Sequence, residues 1–273
     1  MMYYWLIFAL PVFGELAKPN AVSSPDDVLI KEYRFFCKAL GREVPYSLFL
    51  PKSEGSRRDS FPVLLLLHGD GRTHRTIADD SVCRREILKR NFAIIFPNGD
   101  RSWYLDSKTD RKSHYQSMLR ELLDHVRSRF PVYKSSRYTG ICGWSMGGFG
   151  AVHFAETFPE EIGAVATTIG LLDYPNPQLP ADQNYPVSAV FGTDTTDWAR
   201  VNCRNNAAVL RGKHLLFIAG TQAFDYRMNQ NFHRKLQQFP IDHTYLELDG
   251  KHDFEMVRKS IPLLLDFFQK NLP

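Results

Sequence analysis

The chain is poor in cysteine. Cys37, Cys83, Cys142 and Cys203 are spread over 273 positions with no C-x-x-C pair, which excludes zinc fingers and ribbons. It also lacks blocks of one charge. The formal net charge is +4, and the basic residues are scattered in short groups such as Arg57-Arg58 and Arg84-Arg85. Without interleaved aromatic platforms these read as solvated faces, not as a nucleic-acid patch. No apolar run is long enough to cross a bilayer, and there is no Asn-x-Ser/Thr sequon, internal repeat, linker or heptad pattern. What remains is an ordinary globular composition, 44% hydrophobic and 23% charged, with enough residues to bury a sizeable core.

The N-terminus is the exception. Tyr3 to Phe13 is apolar and uncharged, ahead of Glu15 and Lys18. That length is too short for a span but suits the core of an export signal, with Val12-Phe13-Gly14 offering small residues for cleavage. The competing reading is a buried N-terminal strand, since no Lys or Arg precedes the run. We expect a signal peptide over 1–14, an exposed lead-in over 15–27 and one domain over 28–273. The expected location is secreted or periplasmic, with the cytoplasm as the alternative. In an exported protein Cys83 and Cys203 could pair, whereas Cys142 should be buried and free.

Most of the chain alternates strands with helices. Val63-Leu64-Leu65-Leu66-Leu67 and Phe92-Ala93-Ile94-Ile95-Phe96 are unbroken apolar runs, the pattern of strands covered on both faces. Further strands are expected at 28–36, 44–50, 138–142, 164–169, 189–191, 215–219 and 244–248. Helices are expected at 77–90, 113–130, 148–158, 228–239 and 261–270. The proline-rich stretch from Tyr174 to Tyr185 reads as a loop or small cap. The whole implies an α/β fold in one domain, a doubly wound, mostly parallel sheet in three layers. In such sheets chemistry sits at the carboxyl ends of the strands.

At one of those ends lies Gly143-Trp144-Ser145-Met146-Gly147. A serine set between glycines suits a strained strand-to-helix elbow that exposes its hydroxyl. Taken alone, the motif is equally a glycine turn with an ordinary hydroxyl. A nucleophilic serine needs a histidine base, and the base needs a carboxylate. Of the five histidines after Ser145, His153 and His233 fall on helices, and His214 and His243 precede strands. Only His252, in Leu248-Asp249-Gly250-Lys251-His252, follows a strand through a glycine turn. Asp225 is the lone carboxylate of the loop Gly220-Thr221-Gln222-Ala223-Phe224-Asp225. Asp194 and Asp197 come too early in the topology, and Asp249 and Asp253 read as solvated or turn-bracing. The oxyanion hole would use the amides of Met146 and Asp70, the latter in His68-Gly69-Asp70-Gly71.

These pieces, with Leu40-Gly41-Arg42, Pro97-Asn98-Gly99-Asp100-Arg101-Ser102-Trp103-Tyr104, Phe191-Gly192-Thr193-Asp194 and Gly250-Lys251-His252-Asp253-Phe254, resemble the putative-esterase family of α/β-hydrolases. That family includes esterase D (S-formylglutathione hydrolase), tributyrin-type and feruloyl esterases and the antigen-85 mycolyltransferases. The matching stretches run in family order over about 230 residues. The resemblance implies a Ser145, His252 and acid triad, with Trp103, Tyr104 and Trp144 near the substrate. The sequence departs from the family at one place: the acid is expected at Ala223, and Asp225 lies two residues later.

The expected function is therefore a serine carboxylesterase acting on short acyl, feruloyl or carbohydrate-linked esters. It would need no metal or other cofactor and no nucleic-acid or stable membrane partner. An acyltransferase of the same fold, or a non-catalytic binding protein that has lost the acid, are the alternatives.

Overall fold

The computed structural model describes residues 29–52, 60–108, 110 and 112–273, so the expected signal at 1–14 and the lead-in at 15–27 lie outside the described residues. The strands are β1 (Ile30–Cys37), β2 (Arg42–Phe49), β3 (Val63–Leu67), β4 (Ala93–Pro97), β5 (Thr139–Trp144), β6 (Ala164–Thr168), β7 (His214–Gly220) and β8 (Thr244–Leu248). They form one eight-stranded sheet in the order β1-β2-β4-β3-β5-β6-β7-β8. β2 runs antiparallel to both β1 and β4, and every later pairing is parallel.

The helices are α1 (Thr76–Asp79), α2 (Ser81–Ile87), α3 (Tyr115–Arg129), α4 (Met146–Thr157), α5 (Thr195–Val201), α6 (Cys203–Asn206), α7 (Tyr226–Gln238) and α8 (Phe254–Asn271). They sort into two layers. Val63, Leu65 and Leu67 of β3 join one apolar cluster with Leu119 of α3, Phe149 of α4 and Phe232 of α7. Leu64 and Leu66 join a second with Ile87 of α2 and Ile261 and Phe268 of α8. The period-two alternation of the strand thus feeds both faces, which is why the run is apolar without interruption. Each such leucine contributes about 2 kcal/mol relative to an exposed one.

Three expectations about elements are corrected. Residues 189–191 form a single 3₁₀ turn, not a strand. The Ser188 hydroxyl caps it and Gly192 ends it at φ 66°, while β7 occupies the place beside β6. The helix expected at 77–90 is two helices, because the Asp80 carboxylate accepts from the amides of Val82 and Cys83 and starts a second one. The last helix begins at Phe254 rather than 261, capped by Asp253, and carries Pro262 within it. Tertiary packing of Met256, Val257 and Ile261 outweighs the lost backbone hydrogen bond. All four cysteines are free and buried. Cys83 and Cys203 belong to the clusters on opposite faces of the sheet, so they do not pair.

Candidate active site

β5 delivers Ser145 at φ 55° and ψ −124°, a backbone conformation that only surrounding structure can hold. Its amide donates to the Ile169 carbonyl at 3.1 Å, and its carbonyl accepts from Phe149 at 3.1 Å. The neighbouring glycines are steric requirements. A Cβ on Gly143 would lie 2.4 Å from the Gly147 backbone, and one on Gly147 would lie 2.3 Å from the Leu67 carbonyl oxygen. α4 can therefore start directly against β3 and β5 only without those side chains.

His252 follows β8, and its ring sits between two partners. Nε2 is 2.9 Å from Ser145 Oγ, and Nδ1 is 2.6 Å from Asp225 Oδ1. A carboxylate only accepts, so Nδ1 carries the proton and Nε2 is free to accept from the serine hydroxyl. Asp225 is fully buried, and its other oxygen accepts from Asn229 Nδ2 at 2.8 Å. Asn229 also donates to the Gly170 carbonyl at 3.0 Å. The acid and histidine loops hold each other: Thr221 N donates to Leu248 O and Gln222 N to Gly250 O, both at 2.9 Å.

Position 223, where the family resemblance puts the acid, holds an alanine that packs in the apolar cluster with Met256 and Val257. The other candidate carboxylates are engaged elsewhere. Asp249 accepts from Gln222 Nε2 at 2.6 Å, Asp253 caps α8, Asp194 caps α5, and Asp197 pairs with Lys108.

The amides of Met146, first in α4, and of Asp70 have no hydrogen-bond partner among the described residues. His68, only 2% exposed, braces the loop that presents Asp70: Nδ1 donates to Gly69 O at 2.8 Å, and Nε2 accepts from Gly99 N at 2.9 Å. Burial pulls its pKa down to about 4, so the ring is neutral and can serve both loops. The Asp70 carboxylate is gripped by Arg101 at 2.7 and 2.8 Å and approached by the Tyr185 hydroxyl at 3.3 Å. The Arg101 guanidinium holds that carboxyl below its usual range. The ion pair offsets the carboxylate's charge, and the Tyr185 hydroxyl ties this loop to the segment after β6.

The three expected substrate residues are placed differently from one another. Tyr104 is fully enclosed; its hydroxyl accepts from His68 N at 3.0 Å, and its ring fills the space over Gly150. Trp103 is 2% exposed and stacks on Tyr174 at 4.5 Å, inside an aromatic group with Phe149 and Phe191. Trp144 lies along Gly69, where a Cβ would meet its Nε1 at 2.7 Å. Sequence reading missed two half-buried rings. Phe224 covers the His252 ring at 4.5 Å between centroids, and Tyr185 stacks on Phe224 at 6.0 Å. The position of Phe224 between the two candidate acid sites was the available signal.

Among the described residues no cluster of three or more His, Cys, Asp or Glu side chains could hold a metal. Burial also raises all four thiols, Cys37 to about 11 and the others further, so none is a competing nucleophile.

A family model described as "Putative esterase" matches residues 37–262, most of the chain and all of the site just described. The chain belongs to the putative esterase family. Among the relatives of this esterase, an acetyl esterase from Caldicellulosiruptor saccharolyticus is 24% identical over 266 residues, covering 88% of this chain and 98% of that one. A ferulic acid esterase structure superposes with a TM-score of 0.74 at 22% identity, covering 89% of this chain and 98% of that one. Mycobacterium tuberculosis MPT51 gives a TM-score of 0.74 at 14% identity, covering 89% and 99%. These structures share its fold, the α/β-hydrolase fold. The protein is a hydrolase of carboxylic esters.

Proposed function

We propose that the esterase works through an acyl-enzyme on Ser145, with His252 as the base, Asp225 as the acid and the Met146 and Asp70 amides as the oxyanion hole. The observation that carries this is the continuous line from Asp225 through His252 to Ser145 Oγ, at 2.6 and 2.9 Å. In the first half-reaction Ser145 Oγ bonds to the ester carbonyl carbon while its proton passes to His252 Nε2. The carbonyl π pair moves onto oxygen, where the two free amides stabilise it. As the tetrahedral species collapses, the carbon–alkoxy bond breaks and His252 gives its proton to the leaving alcohol. Water then enters by the same steps, leaving a carboxylic acid and free Ser145. Asp225 keeps the productive tautomer and stabilises the imidazolium without taking the proton.

Hydrolysis of p-nitrophenyl acetate, with a fluorophosphonate label on Ser145, is the test. Wild type should turn over and label; Ser145→Ala should do neither while keeping its circular dichroism spectrum. Equal rates in the two proteins would sink the mechanism.

For the substrate we propose short acyl or feruloyl-type esters. Phe224 and Tyr185 offer a flat apolar wall beside His252, and among the described residues no long insertion covers the site. Comparing kcat/KM for acetyl, butyryl and feruloyl esters checks this. A long-chain preference would be the wrong outcome.

A further inference from the structure

Trp144 closes β5, and the period-two alternation of that strand sends its side chain, with Cys142, to the apolar cluster on the α8 face. The residue is only 6% exposed. A Cβ built on Gly69 would lie 2.7 Å from Trp144 Nε1 and 3.3 Å from Ser145 Cβ. The indole edge thus fills the place that a side chain at 69 would take, directly beside the nucleophile. Phe254, two residues after His252, packs edge-on against the indole at 6.2 Å between centroids. Arg72 and Arg258 lie over the Phe254 ring at 5.6 and 5.1 Å, so residues from the Asp70 loop and from α8 together hold this wall in place.

The polar atom of this wall is left open. An indole nitrogen only donates, and a largely buried tryptophan usually finds an acceptor for it. Trp144 Nε1 has no hydrogen-bond partner among the described residues, yet it is not sealed from solvent. Water meets such a donor until a substrate arrives. A substrate oxygen in that place restores the hydrogen bond, whereas a methylene displaces the water and returns nothing.

We propose that Trp144 is a specificity residue of the esterase. Its indole N–H donates to a substrate oxygen, an ether, hydroxyl or second carbonyl, carried close to the scissile carbonyl. Phe224 and Tyr185 supply apolar contact beside His252, and Trp144 supplies a polar point that distinguishes chains of the same size. Oxygenated acyl or alcohol groups are therefore favoured over their hydrocarbon isosteres. This inference rests on Ser145 as the nucleophile.

Two pairs of isosteric esters test it, one for each side of the scissile bond. They are p-nitrophenyl methoxyacetate against p-nitrophenyl butyrate, and 2-methoxyethyl acetate against butyl acetate. In each pair the ratio of kcat/KM is divided by the ratio for hydroxide hydrolysis, which removes intrinsic reactivity. With wild type, at least one pair should favour the oxygenated ester by about three- to tenfold, the worth of one neutral hydrogen bond. Trp144→Phe should erase that preference. Benzothiophene in place of the indole, introduced as 3-benzothienylalanine, should erase it too while keeping the shape of the ring, since only the N–H is lost. Fluorophosphonate labelling of Ser145 is followed in each protein. A wild type that labels but shows no oxygen preference in either pair would overturn this inference alone, as would a preference that survives removal of the N–H. A wild type that fails to label would remove the nucleophile, and this inference with it.

Discussion

At the elbow, Ser145 is held by contacts that leave no room. Three backbones meet where Gly143, Gly147 and Gly148 have no side chains, and a Cβ on Gly148 would lie 2.7 Å from Gly170 Cα. In the loop that carries Asp225 such a constraint stands only at its first residue, where a Cβ on Gly220 would lie 2.8 Å from the Gly250 carbonyl oxygen. Asp225 is held by Asn229 and by backbone hydrogen bonds that join the 220–226 and 248–252 loops. Steric exclusion tolerates no alternative, whereas a hydrogen-bond network can be rebuilt around a carboxylate displaced along the loop. On the proposed mechanism, the difference accounts for a rigid motif around Ser145 beside an acid that sits two positions beyond Ala223.

That contrast can be broken by experiment, beginning at the elbow. Gly147→Ala drives a Cβ onto the Leu67 carbonyl at 2.3 Å and the His68 carbonyl at 2.6 Å, backbone atoms that cannot swing aside. We predict destabilisation of more than about 3 kcal/mol in urea unfolding, together with loss of turnover. A folded and active variant would show that the elbow yields more than its geometry allows.

In the acid loop the fold should survive and the chemistry should not. Asp225→Asn is expected to lower kcat by about 10³–10⁴-fold, because the histidine tautomer is lost. Adding Ala223→Asp to that variant should restore less than about tenfold, since side chain 223 packs in the apolar cluster with Met256, where a carboxylate is costly. Full recovery would return the acid to position 223 and refute the displacement.

Asn229→Ala removes the second partner of the Asp225 carboxylate and one donor to Gly170. A loss of about 1–3 kcal/mol of transition-state stabilisation is expected, five- to 150-fold in kcat/KM. It should come with a change in the pH–rate profile, which simple loosening of α7 would not produce.

The smallest effect belongs to His68, which braces the loop that presents Asp70. His68 titrates at about 4 when folded and near 6.5 when unfolded. The unfolded chain therefore binds more protons between those values. Stability is full above about pH 6.5 and falls as the pH drops through that window, by at most about 3 kcal/mol for this residue. His153, also at about 4, adds to the same slope. Urea midpoints at pH 7, 5.5 and 4.5 should decline, and less steeply in His153→Phe. A flat series would show that neither ring is held neutral.

Much of this molecule is written along the chain. Apolar runs without alternation specify strands covered on both faces, and Gly-x-Ser-x-Gly after such a run specifies an elbow. A histidine behind a glycine turn at the right end of the last strand is a local feature too. These signals are short-range, so the sequence alone determined the fold class and which serine and histidine could meet.

The tertiary structure decided what depends on distant partners. It brought Asp225 to His252 and engaged Asp249, Asp253, Asp194 and Asp197 elsewhere. It paired Asp70 with Arg101, turned Tyr104 inward and set Phe224 over the His252 ring. It also made 189–191 a turn because β7 fills the adjacent place in the sheet, and it kept Cys83 and Cys203 on opposite faces. Each of these outcomes follows from packing or hydrogen bonding between residues far apart in the chain, and no local pattern encodes where such residues will meet.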